Sequence, residues 1–178
     1  MQVFKIILLC IAAAVLYGIL HDQITARICV EYFTIGHPPV FATKDPTLLG
    51  LGWGIIATWW VGLGLGVPLS ITARAGSCPK LSTSQLVAPL SITLAIVGVL
   101  AIVAGLVGRS AASGGSVWLL EPLASRVPAD RHVDFLTALW AHSASYLAGF
   151  IGGIVLCVWT LIVRSRASRR IAQPPRPS

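Results

Sequence analysis

The chain has 178 residues, of which 56% are hydrophobic and only 11% charged, and its mean hydropathy is +0.83. Soluble domains carry about 25% charged residues, so this composition excludes an ordinary soluble fold and points to an integral membrane protein. The net charge of +7 does not point to nucleic acid: no recognition fold accompanies it, and Arg164, Arg166, Arg169, Arg170 and Arg176 crowd the last fifteen positions behind an apolar run, as a cytoplasmic anchor on anionic lipid would.

Four apolar runs reach the ~20 residues that a helix needs to cross a hydrocarbon core. They cover about residues 3–20, 48–72, 86–108 and 136–163. The first has Lys5 as its only leading charge and no small-x-small site before His21, so it reads as an uncleaved anchor rather than a secretory signal. After it, residues 21–47 are polar but retain Ile24, Ile28, Val30, Tyr32 and Phe33. They predict a continuation of the first helix beyond the membrane, or an interfacial helix, stopped at Gly36-His37-Pro38-Pro39.

The second run carries Gly50/Gly54 and Gly62/Gly66. Small residues four apart let helices approach closely in lipid, here chiefly within one bundle, with a homo-oligomer face as the alternative. Pro68 and Pro89 fall inside the second and third runs, where kinks are tolerable. Trp53, Trp118, Trp140 and Trp159 suit interfacial belts, while Trp59 and Trp60 lie mid-run and pack on neighbours or lipid. Residues 109–133 open with a Ser/Ala/Gly stretch and include Val117-Trp118-Leu119-Leu120, which reads as an interfacial segment. They close on Pro128-Ala129-Asp130, with Asp130 suited to cap the fourth helix. Residues 164–178, basic and containing Pro174, Pro175 and Pro177, read as a disordered tail.

Basic residues set the orientation. Lys5, Arg74, Lys80 and the five tail arginines fall on one side with no acid. Arg27, Lys44, Arg109, Arg126 and Arg131 fall on the other with all six acids. The expected architecture is therefore an all-α integral membrane four-helix bundle over residues 1–163. Both termini are cytoplasmic, and in a bacterium the bundle lies in the inner membrane. Cys10, Cys29, Cys78 and Cys157 form no CxxC, and Cys29 and Cys78 fall on opposite sides, so no disulfide or redox motif is read.

All four histidines share the outer side with the acids. Ionisable groups gathered at one face of a lipid-embedded chain are a functional hypothesis by default. His21, Glu31, His37 and His142 are the candidate metal ligands. Asp22, His132 and Asp134 are the candidate supporting or acid–base groups. Mixed nitrogen and oxygen donors suit zinc, iron, copper or manganese. No HExxH or ExxH occurs, which excludes the zinc-protease and ferritin-like patterns. Haem held by His21 and His142 is weakened by the lack of a second histidine pair. His21/Glu31 and His132/His142 are each ten residues apart, three turns along a helix, so neither pair binds one ion from one helix. A site must form between helices, for instance from His21, His142 and a carboxylate. Each residue also has a plain structural role open to it. His21 and Asp22 can end the first helix, Arg27 and Glu31 can form an i,i+4 pair, His37 can be a loop residue, and Asp134 can be an acid favoured at a helix N-terminus.

His21, Asp22, Gln23, Arg27, Glu31, Tyr32, Phe33 and His37, within HDQITARICVEYFTIGHPP, together with LLGLGWGIIATWW in the second run, resemble a family of small bacterial multi-pass membrane proteins of unassigned function. The likeness covers about a third of the chain and implies no activity. Two functions stay open: a metal-dependent membrane enzyme, redox or hydrolytic, acting on an amphiphilic or small substrate, and a non-enzymatic membrane subunit or small transporter whose polar loops bind a partner. Against transport, no acid or base falls mid-membrane.

Overall fold

The computed structural model describes residues 1–172. It is all-helical, with no strand among the described residues. Helix α1 is Gln2–Ile28, followed by the short α2, Val30–Thr34. Helices α3, Pro46–Ile56, and α4, Trp59–Arg74, form one broken traverse. Helix α5 is Thr83–Ser113, α6 is Leu123–Arg126, and α7 is His132–Ala172, entered through a 3-10 turn at Ala129–Arg131. Four stretches, Gln2–Ile28, Pro46–Arg74, Thr83–Ser113 and Ala129–Ala172, are long and apolar enough to cross a membrane.

The helix starts follow local chemistry. Asp45 Oδ1 accepts from the Leu48 backbone N–H at 2.8 Å, with Pro46 in the first turn, which satisfies a donor that the helix itself cannot. At α5, Ser82 and Gln85 make a reciprocal capping box. The glycines of the second traverse let α1 come close. A Cβ on Gly54 would fall 2.6 Å from the Ile19 Cα, and one on Gly62 would fall 2.6 Å from the Ile11 Cα. This spacing-by-four stripe therefore packs inside one chain.

The traverses alternate in direction, which gives the bundle two distinct ends. The terminal end gathers Ile6, Cys10, Leu69, Ala73, Leu81, Leu86 and Leu156 into one core. The loop end gathers Tyr32, Phe33, Leu49, Trp53, Phe135 and their neighbours into another.

Five expectations need correction. The first helix continues past Leu20, but not as one piece up to the Gly36–Pro39 stop: Cys29 turns extended (φ −150°, ψ 101°) and breaks it after Ile28, and the separate α2 carries helix on to Thr34. The second traverse is broken at Ala57–Thr58, where the Thr58 hydroxyl bonds back to the Gly54 carbonyl at 2.5 Å. Asp130 sits within the 3-10 turn, and no side chain caps that turn. The chain does not leave helix at residue 164: α7 runs on to Ala172, and Arg164 is buried. The expected disorder at Pro174, Pro175, Arg176 and Pro177 lies outside the described residues. Trp53, read as a belt residue, is buried in the loop-end core, packed against His37 and Phe41.

Candidate functional site

The bundle brings His21 and Asp22 of α1 against His142 of α7. A ring nitrogen of each histidine and a carboxylate oxygen of Asp22 all lie within 4.8 Å of one another. Among the described residues this is the one cluster of three or more His, Cys, Asp or Glu donors with that geometry. Neighbouring residues on a helix point ~100° apart, so His21 and Asp22 meet only at something seated between them, and His142 fills that position. The rings of His21 and His142 meet edge-on, with centroids 4.5 Å apart.

Asp22 and His142 are both buried. His142 Nε2 faces Asp22 Oδ1 at 3.1 Å, and His142 Nδ1 faces the Ala138 carbonyl at 2.9 Å. A carbonyl only accepts, so Nδ1 carries a proton. A neutral imidazole then offers Asp22 a lone pair, not a donor. The bond to Asp22 therefore needs one further proton, on Nε2 or on the carboxyl, and either way the buried pair carries no net charge. That agrees with the high cost of an unpaired buried ion.

His21 is held differently. Its Nδ1 lies 3.5 Å from the Ser145 hydroxyl, which is itself 2.7 Å from the Tyr17 hydroxyl. Its Nε2 is buried and has no hydrogen-bond partner. Buried polar atoms of this kind are rare, and a metal-binding histidine uses one ring nitrogen on the ion while a neighbouring group bonds the other.

Tyr32 of α2 lies over the group, its ring 4.4 Å from His142 and 4.9 Å from His37. His37 Nδ1 donates to the Tyr32 carbonyl at 2.8 Å, and its ring packs on Trp53 at 4.7 Å. His37 is thus a neighbour of the group across an aromatic ring and does not join the three-residue cluster.

The other expected site residues stand elsewhere. The break at Cys29 turns Glu31 away from Arg27 and onto Arg131 at 3.2 Å. Arg27 instead bonds Gln23 and Thr47. Asp134 lies between Arg109 and Arg131, 2.6 Å from each. His132 Nε2 donates to the Val127 carbonyl at 3.0 Å. Glu31, His132 and Asp134 therefore belong to the loop-end network rather than to the His21–Asp22–His142 group. Burial raises the Glu31 carboxyl, but its own backbone N–H, the Arg131 guanidinium and the Cys29 thiol outweigh this and hold it below the usual carboxylate value. Burial pushes the Cys29 thiol up to about 11, so it stays protonated and donates to Glu31.

Tyr17 and Ser145 were not singled out in the sequence as site residues. A signal exists for both: Tyr17 is one turn before His21, and Ser145 about one turn after His142.

A partly open cavity reaches this group. His21, Asp22 and His142 line one end, and Cys10, Leu69 and Leu156 line the other.

No family model matches this chain, and neither a curated protein nor a solved structure does. The class that the fold itself defines is an all-helical chain with four helices long and apolar enough to span a membrane.

Proposed function

We propose that this chain is a multi-pass membrane protein that holds one transition-metal ion between α1 and α7, with His21, His142 and Asp22 as ligands. The observation that carries the reading is the donor set: two imidazoles and one carboxylate, Asp22 and His142 buried and His21 half-buried, with the His21 Nε2 lacking any other partner. Ligands at ~2 Å around one tetrahedral ion stand about 3.4 Å apart, so donors already within 4.8 Å close on an ion with small side-chain adjustments. The ion replaces the proton shared by His142 and Asp22, and its binding strengthens as pH rises. Two histidines and one carboxylate leave coordination positions open, as catalytic centres do and closed structural sites do not. This supports a membrane enzyme, hydrolytic or redox, acting at the outer boundary of a bacterial inner membrane. The orientation, with both termini cytoplasmic, rests on Lys5, Arg74, Lys80 and the arginines of the last helix gathering at the acid-free end.

A second reading, a non-enzymatic membrane subunit, is favoured by one observation: Asp22 and His142 satisfy each other without any ion. Elemental analysis of detergent-purified protein separates the two. The enzyme reading expects one metal per chain in the wild type and none in His142→Ala. Metal-free wild-type protein from metal-replete cells would leave the subunit reading standing.

A further inference from the structure

The cavity below the metal ligands extends from His21 to Cys10 along α1. Eleven helical residues at 1.5 Å each make this about 16 Å, half of the ~30 Å hydrocarbon thickness of a bilayer. That is the reach of a lipid tail in one leaflet. Its walls come chiefly from α1, α4, α5 and α7 and are mostly apolar, while its histidines and its carboxylate, His21, Asp22, His37 and His142, gather at one end. Tyr146, one turn along α7 from His142, both lines the cavity and is 45% exposed. It therefore stands at an opening on the side of the bundle, beside the ligands.

Of the four glycines that line the cavity, Gly18, Gly62, Gly149 and Gly153, one has open space beside it. Gly149 lines the cavity, and a Cβ built on it meets no atom within 4 Å. It is unlike Gly54 and Gly62, where a Cβ would strike α1. Close helix packing does not require glycine at 149; an open cavity benefits from it.

From this juxtaposition we infer that the cavity is a tail-binding site for a single-chain amphiphile. The hydrocarbon chain lies between α1, α4, α5 and α7, and the oxygen-bearing head meets the His21–Asp22–His142 group. The inference rests on the metal reading for what the head meets, and on the cavity alone for where the tail lies.

The test uses the full chain in phosphatidylcholine nanodiscs, with hexadecanoic acid carrying a photoreactive diazirine at mid-chain as the probe. Crosslinks are mapped by mass spectrometry and metal content is measured on the same samples. Labels are expected on Leu65, Leu90, Leu94 and Val97 of the cavity wall. Gly149→Leu should reduce them roughly tenfold, the scale of overpacking an occupied site, with metal content retained. Gly64→Leu is the control: Gly64 is exposed, absent from the cavity wall and equally free of neighbours, and its substitution should change nothing. In the wild type, excess unlabelled hexadecanoic acid should displace the cavity labels while hexanoic acid does not, which tests the site even if Gly149→Leu fails to fold. Labels spread over lipid-facing positions such as Ile154 and Val155, indifferent to both Gly149→Leu and competitor length, would overturn the tail site. Competable cavity labelling in metal-free protein would overturn the metal reading alone.

Discussion

Among the described residues, two ionisable centres are buried in this bundle, one near each end, and they are built on opposite plans. At the terminal end, Arg164 is 3% exposed. Its guanidinium donates to the carbonyls of Thr72, Ala75, Cys78 and Pro79. These are the last carbonyls of α4 and those of the turn after it, groups that a helix leaves unpaired and that attract a cation. At the other centre, His142 and Asp22 share a bond while His21 Nε2 has no partner. The first centre is closed, every nitrogen engaged with fixed backbone, and it pins the α4–α5 turn to α7. The second is left one partner short. A charged group deep in an apolar fold is thus not by itself a sign of function; the informative feature is unfilled bonding capacity.

Substitutions should separate the two plans. Arg164→Ala strands four carbonyls and should cost about 3 kcal/mol of stability, read by chemical unfolding in detergent, while metal per folded chain stays at the wild-type level. Loss of metal in that variant would mean that the two ends are coupled. His142→Ala should cost about 2 kcal/mol, because Asp22 is left buried without its partner, and should abolish metal binding. His21→Leu should give the sharpest dissociation. It removes an unsatisfied nitrogen, so stability should change by less than about 1 kcal/mol or rise, yet bound metal should disappear. A large destabilisation with metal retained would make His21 a packing residue.

The smallest effect should come from the loop-end ion network. Glu31→Gln should cost about 0.5 kcal/mol at neutral pH and leave metal binding unchanged. Because the folded Glu31 carboxyl sits below its ordinary value of 4.5, its contribution is present above that pH and is lost as pH falls through the folded value. A stability–pH curve of Glu31→Gln should therefore run closer to the wild type in acid than at neutral pH. An equal gap at all pH values would remove Glu31 from that role.

The four traverses were legible because each is a long apolar run between polar stretches, and length alone separates such helices from buried soluble ones. What the sequence hid are the places where a side chain or a single backbone torsion overrides the pattern. Arg164 looks like the start of a tail because an arginine after an apolar run normally meets water; the carbonyls that bury it come from residues about 90 positions earlier. The break at Ala57–Thr58 carries no proline or glycine to announce it. Glu31 follows α1 at helical spacing on paper, and the extended Cys29 redirects it to Arg131. In the His21–Asp22–His142 cluster, the meeting of His21 and His142 was readable from their places at the outer ends of the first and last runs, and the need for an interhelical arrangement with a carboxylate followed from helical spacing. That Asp22 supplies it, rather than Glu31, depends on where α7 crosses α1, which composition and periodicity do not encode.

The central claim is that His21, Asp22 and His142 bind one metal ion. Cobalt(II) titration of metal-stripped protein, followed by visible absorption, tests it most directly. The account predicts ligand-field bands that saturate at one cobalt per chain, disappear in His21→Leu and persist in Arg164→Ala. Absence of bands in the wild type, or bands that survive His21→Leu unchanged, would contradict it.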